Sequence, residues 1–551
     1  MSTDQRITAN AYLRYDTNRY RDFLNHSHSF ESFVDKYSSR FRYLVSVLFF
    51  SVALAAGLHA QDFGFGFDDE DGQAAPALPV SVKVGGEIGA RFLGYVHDFS
   101  SEEKMKAASL GDVVYGALNF SASAANVDAF IALNLSAASI SDIANSGSGN
   151  PVYTPLILDE AYLRAYFGPV NIEAGLRKLT WGKADSMGPL DVINPIDYTD
   201  MTKIPDIMAM KIARPLVRIS WNMDGFSKLE AVFLPGFAGH RFAHSGRWAP
   251  SQFSAMRDIA ITGILGEIGV PQLAPVIQEN PQVASALSEF SPAFPDTSGL
   301  EYFQTGLRFT TTIGPADIGA QYFYGNLFRP DFVMGSVQDF LNDLTTKNPL
   351  FSGPYPTTFP ELIAFLPGLL YTGNPDVLYK IKYNRYHQIG LDYAQVLFDF
   401  NIRGEFAVHL TEDLSGDDGS VRNPFLAWSL GFDRSLFWGV NANVQCTETI
   451  RLLNDRVSSN PALDCEAGTD ITSTSLIMQL SKKFLKDEFE CKLIAIWGIE
   501  DSDCYIIPAI SWNIRDLTAE LAAGVFAGKE TGEFGQYWEN SFVKIGLKYS
   551  F

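Results

Sequence analysis

The chain has 551 residues, 46% of them hydrophobic and 19% charged, with 42 Lys and Arg against 63 Asp and Glu and a formal charge of −21. That acidity argues against a nucleic-acid partner, which needs a basic footprint. A bundle of membrane helices is excluded as well: it needs repeated apolar runs of about 20 residues, and the chain has one compact run, Leu44–Leu58.

In chain order, residues 1–60 read as an export signal. Arg40 and Arg42 form its positive start, Leu44–Ala56 its apolar segment and Leu58-His59-Ala60 a cleavage site. The polar preface Met1–Ser39 points to an over-long start, with Val34 as an alternative initiator. Residues 1–60 hold seven Lys/Arg and five Asp/Glu, so the remainder carries about −23, a charge that attracts cations. Residues 61–79, rich in Gly, Asp and Ala, form a flexible periplasmic lead-in.

From Val80 to Phe551 strand-like segments follow one another almost without a break. Apolar residues are diluted among Gly, Ser, Asn and Asp, as in a membrane barrel where only alternate residues touch lipid. Tight links fall at Phe167-Gly168-Pro169, Met223-Asp224-Gly225, Gly314-Pro315, Ala394–Val396, Arg434–Leu436, Leu485–Glu488 and Arg515-Asp516. Long ones lie between them at Thr180–Ile212, Pro235–Gly299, Phe328–Asp376, Asn454–Asp470 and Gly528–Glu539. Short periplasmic turns alternating with long external loops predict an all-β fold: a transmembrane antiparallel up-and-down β-barrel of about 16–18 strands.

The most distinctive stretch, Leu158–Asp200, opens as a hairpin. Its alternation places Glu160, Arg164, Glu173 and Arg177 on the wet face of adjacent strands, where two acids and two bases can pair or set a transverse field across a pore. A ladder that only steadies the wall is the competing reading. Then come Trp181-Gly182-Lys183-Ala184-Asp185 and Asp191-Val192-Ile193-Asn194-Pro195. Over Leu158 to about Trp248 the chain resembles a family of uncharacterised bacterial outer-membrane barrels, a domain of unknown function carrying W-G-x-A-D and L-D-V-[IV]-N-P. The resemblance implies an exported, porin-like barrel in a diderm bacterium and no particular substrate.

Residues 181–212 are too apolar to stand in solvent. They are expected to fold inward as a constriction loop, with Lys183, Asp185, Asp191, Asp197 and Asp200 near the narrowest point and Trp181, Gly182, Asn194 and Pro195 shaping the loop. The alternative is a loop that seals the barrel mouth, with Asp185 and Asn194 capping its turns. Helical spacing predicts insertions in the long extracellular loops at Ser251–Phe290, Phe332–Leu344 and Pro360–Leu370. Leu397–Leu410 reads as one strand, with Phe398, Phe400, Ile402, Phe406, Val408 and Leu410 on the oily face and Arg403, Glu405 and His409 on the wet one.

Cys446, Cys465, Cys491 and Cys504 allow three pairings, among them a Cys446–Cys465 staple of one surface loop. His240 and His244 stand four apart, but the flanking glycines suggest a loop, and no Glu completes an H-E-x-x-H site. No nucleotide, ATP or haem motif appears, so no cofactor, metal or enzyme activity is expected. The last strand alternates Val543, Ile545, Leu547, Tyr549 and Phe551 with Lys544, Gly546, Lys548 and Ser550, and this resembles the signal by which the barrel-assembly machinery recognises outer-membrane proteins. The expected setting is the cell outer membrane, with lipid, that machinery and small-molecule solutes as partners, and room for a homo-oligomer. The leading function is a cation-biased channel. The alternatives are a transporter of hydrophobic compounds and an adhesin displaying surface loops.

Overall fold

The computed structural model describes residues 80–101, 114–136, 158–204, 206–243, 246–252, 294–334, 342–343, 346, 379–460 and 463–551. The export signal, the lead-in, His244, the Pro360–Leu370 segment and all but the first two residues of Ser251–Phe290 lie outside them.

Strands form most of the regular structure. They are β1 (Ser81–Tyr95), β2 (Val114–Ala124), β3 (Val127–Ser136), β4 (Leu158–Phe167), β5 (Val170–Arg177), β6 (Arg214–Asn222), β7 (Lys228–Leu234), β8 (Gln304–Ile313), β9 (Ala316–Asn326) and β10 (Asp331–Met334). After these come β11 (Tyr379–Lys382), β12 (Arg385–Leu397), β13 (Phe400–Thr411), β14 (Phe425–Ser435), β15 (Asn441–Arg451), β16 (Thr472–Phe484), β17 (Phe489–Gly498), β18 (Asp503–Ile514), β19 (Leu517–Ala527) and β20 (Phe542–Ser550). β10 and β11 make a small separate two-stranded sheet, and the other 18 form one antiparallel sheet in which β9 pairs with β12 and β20 returns to β1. The barrel is closed, and closure removes the unpaired edges that lipid could not satisfy.

The C-terminal residue takes part in that closure. Phe551 exchanges two backbone hydrogen bonds of 3.0 Å with Gly86. A Cβ on Gly86 would lie 2.3 Å from the Ala117 carbonyl oxygen, so only glycine lets β1, β2 and the chain end meet there.

Alternation sorts the side chains. Val82, Val84, Ile88 and Phe92 on β1 and Val543, Ile545, Leu547 and Tyr549 on β20 point outward and are exposed. Exposed apolar rows continue around the wall. In water such a surface is an aggregation liability; around a closed barrel it is a lipid-facing belt. Phe167, Phe226, Phe398, Phe437 and Trp438 stand exposed at the short-turn rim, where an aromatic girdle meets the membrane interface. The inner face is polar towards that rim; Glu87, Glu520, Lys544 and Lys548 form the pairs Lys544–Glu520 (2.8 Å) and Lys548–Glu87 (3.1 Å). Towards the long-loop end it turns apolar, where Ile477, Ile494, Ile496, Tyr505, Ile507 and Phe526 pack against loop residues Ile196, Met201, Ile204 and Met210.

Three local expectations change. The turn expected at Ala394–Val396 lies inside β12, and the chain reverses at Phe398-Asp399, both with positive φ (51° and 66°). Phe398 thus belongs to the turn, and β13 starts at Phe400. Hairpin turns of this kind usually announce themselves through Asn-Gly or Asp-Gly, and Phe-Asp does not. Phe332–Met334, expected to open a helix, pair with β11 instead. All four cysteines are free, so no Cys446–Cys465 staple forms: Cys446 lies within β15, paired with Leu476 of β16, whereas Cys465 sits in the following loop.

Candidate functional site

The β4–β5 hairpin places its charges on the inner wall. Arg164 and Glu173 are register partners, and Arg164 Nε donates to Glu173 Oε1 at 2.6 Å. Arg177 donates to Glu173 Oε2 at 3.1 Å and to Glu160 Oε1 at 3.3 Å, with its guanidinium 4.0 Å from the Tyr162 ring centre. β6 and β7 extend this network: Arg218 reaches Glu173 at 3.4 Å and also pairs with Glu230, to which Lys228 adds a contact of 2.8 Å. Arg218 and Glu230 were missed in the sequence, although their strands carry the same alternation. The network is continuous over four strands, so each guanidinium is fixed by a carboxylate.

From Arg177 the chain leaves the wall and crosses the lumen. Trp181 is buried against Phe323 and leaves no room for a side chain at Gly306. At Gly182, φ is +95° and a Cβ would lie 2.2 Å from Glu405 Oε1. Both features demand glycine. Glu405, near the middle of β13, accepts backbone N–H groups from Lys183, Ala184 (2.7 Å) and Leu190 (3.2 Å). Lys183 Nζ stands 3.5 Å from Asp392 of β12, which also pairs with Arg308 at 2.6 Å. The Asp185 carboxylate pairs with Arg403 and accepts from Asn443 at 2.7 Å; its N–H and that of Ser186 donate to Gln445 at 3.0 and 3.1 Å. Between β5 and β15 lie seven barrel strands one way round and nine the other. Residues 182–190 are therefore bonded to the far wall, at mid-strand depth.

The return leg is held by Asn194. Its Oδ1 accepts from Leu179 N–H at 2.7 Å, while Nδ2 donates to Arg177 O at 3.0 Å and Ile212 O at 2.9 Å. The Pro195 carbonyl accepts from Ile212 N–H at 2.8 Å. Asp191 sits beside Lys211, 2.6 Å from Nζ, at the root of the loop. Burial raises the Asp191 carboxyl above its ordinary range, against the opposing pull of the Lys211 ammonium. Asp197 faces Arg241 at 3.4 Å and caps Thr199. Asp200 caps the turn Met201–Lys203 and stands 3.8 Å from Arg91 on β1, while Tyr505 on β18 donates to the Met201 carbonyl at 3.2 Å. All four loop acids at 185, 191, 197 and 200 thus have cationic partners. Lys203 is the more exposed partner of Asp200, 42% accessible and 4.0 Å away.

The β7–β8 connection supports the loop from above. Arg241 N–H donates to Ile196 O at 3.0 Å, and His240 Nδ1 accepts from Ile196 N–H at 2.9 Å. Among the described residues no group of three or more His, Cys, Asp and Glu could hold a metal. Burial lowers the His240 pKa to about 3, keeping the ring neutral in the fold. An unfolded histidine takes a proton near pH 6.5, so stability present above that value should fall as the pH drops from about 6.5 towards 3. Thermal unfolding across that window is expected to show a shallower decline in His240→Gln than in the wild type; parallel curves would remove His240 from the acid response.

No protein-family model matches the chain, and no curated protein matches it. Solved structures similar to it include OccAB4 of Acinetobacter baumannii, 8% identical over 85% of this chain and 98% of that one, with a TM-score of 0.41. A BenF-like porin of Pseudomonas fluorescens gives the same four values. The outer membrane channel DcaP of Acinetobacter baumannii is 10% identical over 86% of this chain and 97% of that one, with a TM-score of 0.33. The lumen-crossing loop described above stands on this chain's own contacts.

Proposed function

We propose that the protein is a porin-like outer-membrane channel for small polar solutes, narrowed by the loop between β5 and β6. The observation that carries this reading is the attachment of residues 182–190 to β13 and β15 at mid-strand depth. A loop that merely capped the mouth would bond to strand ends. The lipid-facing belt and the β20 alternation support export, insertion and recognition by the assembly machinery. The resemblance of Trp181–Pro195 to an uncharacterised barrel family agrees with this and adds no substrate. The interior apolar wall is covered by the loop's own residues, which favours a polar passage over a greasy one.

Single-channel recording of refolded protein in planar bilayers tests the reading. Discrete conductance steps are expected; a folded but silent barrel would overturn it in favour of an adhesin or structural role. The acidic balance supports a cation bias. Its strongest dependence should be on Asp200, because Asp200→Asn leaves Arg91 and the exposed Lys203 without that carboxylate. Asp185→Asn should matter less, since Arg403 keeps Asp433 at 2.7 Å. Reversal potentials in a salt gradient should therefore move towards anions more in Asp200→Asn; equal shifts would separate Asp200 from the conducting path.

A further inference from the structure

Outside the constriction, a cavity of about 400 Å³ opens at the long-loop end. Ligand pockets commonly span about 300–1,000 Å³, so this one suits a small molecule. Three chain segments build it: His97 and Asp98 after β1, Arg247 from the β7–β8 connection, and Gln536, Trp538, Glu539 and Asn540 between β19 and β20. Its side chains are held in place. Arg247 pairs with Asp98 at 2.9 Å and lies 3.7 Å over the Tyr95 ring. His97 Nε2 stands 3.3 Å from Glu539, and its ring meets Trp538 edge-on with centroids 4.6 Å apart. Asn540 Nδ2 donates to the Arg247 carbonyl at 2.6 Å, and Gln536 accepts from Ser251 N–H at 2.8 Å. Beneath lie Trp248, Phe526 and Tyr537 in mutual ring contact, a rigid floor.

We propose that this cavity is a capture site for a neutral polyhydroxylated solute, a mono- or disaccharide. The reason is the lining chemistry. The one arginine of the lining, Arg247, is matched by the Asp98 carboxylate, so the cavity offers no unmatched guanidinium to an anion. Arg247 has donors beyond the one it gives Asp98, and the Asp98 carboxylate has acceptor sites beyond the one Arg247 fills; adjacent sugar hydroxyls use donor and acceptor together. Trp538 is 43% exposed and lines the same space, and an aromatic surface suits the C–H face of a pyranose ring. Preorganised groups lower the ordering cost of binding. The cavity also stands over Tyr95, at the end of the strand that carries Arg91, so a sugar held there would wait above the Arg91–Asp200 edge of the channel.

The binding claim stands by itself, whereas the capture role rests on the channel reading. Full-length refolded protein in detergent should be titrated with maltose and sucrose, following tryptophan fluorescence and calorimetric heat. Saturable binding in the millimolar range is expected, weakened about tenfold in Trp538→Ala, the size of one aromatic contact, and partly restored in Trp538→Phe. Spermidine and acetate serve as charged probes. No saturation by either sugar in a heat-modifiable, folded barrel would overturn the proposal, as would an unchanged affinity in Trp538→Ala or tighter binding of a charged probe. Sugar binding by an electrically silent barrel would sink only the channel reading, and conductance without binding only this one.

Discussion

Glu405→Ala is expected to free residues 182–190 from the far wall and to give larger, noisier single-channel currents than the wild type. The carboxylate is 4% exposed as a residue and takes three N–H groups from the loop. Alanine leaves those donors without their acceptor, at about 1–3 kcal/mol for each buried group. The loop's other bonds there are those of Asp185 and Ser186 to β13 and β15, the Lys183–Asp392 pair, and the Pro189 and Leu190 carbonyls accepting from Gln388 (2.7 Å) and Gln321 (3.0 Å), and none of them satisfies the three N–H groups that Glu405 holds. Glu405→Gln keeps one carbonyl oxygen and should fall between. Gly182→Ala attacks the same joint from the loop side, because its Cβ would collide with Glu405 at a φ that side chains rarely adopt. Currents of wild-type size and quietness in Glu405→Ala would mean that the loop does not set the bore.

The second large effect is expected at Asn194, and it should appear in stability rather than conductance. Asn194→Ala orphans the Leu179 N–H and removes the donors to Arg177 and Ile212 carbonyls at a residue only 2% exposed. At about 1–3 kcal/mol per unsatisfied buried group, the two legs of the loop should separate and the barrel should lose its compact gel mobility at a clearly lower temperature. Asn194→Asp retains the acceptor for Leu179 but sets a buried carboxylate oxygen against the Arg177 and Ile212 carbonyls, so its shift should be at least as large. Heat-modifiability on gels reads both, and a wild-type melting profile in Asn194→Ala would show that packing alone holds the legs together.

Much of the wall was readable because a strand's side chains alternate whatever lies beside them. Glu160, Arg164, Glu173 and Arg177 fall on one inner face by counting, and the outward row from Val543 to Tyr549 follows from the same rule. The turns with Gly168-Pro169, Gly314-Pro315 and Asp224-Gly225 carry their own chemistry. Phe398-Asp399 does not, so the period of two ran straight through a reversal. At Phe332–Met334 a short apolar run does not distinguish helix from strand and pairing with β11 decided it, whereas Asn342-Asp343 later in the same expected segment are helical.

The site was legible in one half only. The motif around Trp181 and Asn194 marks a loop that must be covered, and nothing in it says by what. Glu405 lies 222 residues from Lys183, and in the sequence it was merely a wet-face acid near His409. That histidine bonds to Gln388 at 2.9 Å and stacks on Phe425 at 4.1 Å, as a wall residue does. The loop acids Asp185, Asp191, Asp197 and Asp200, expected near the narrowest point, each have a cation beside them, drawn from Arg403, Lys211, Arg241 and Arg91. Local alternation and turn chemistry, which act over a few residues, were enough to determine a closed barrel with an inward-suited loop. Barrel closure brought β5 opposite β13 and β15, and that tertiary step alone decided which carboxylate holds the loop and which charges remain to face a solute. Hydrogen bonds and ion pairs act over a few ångströms in space, and the sequence orders only neighbours along the chain.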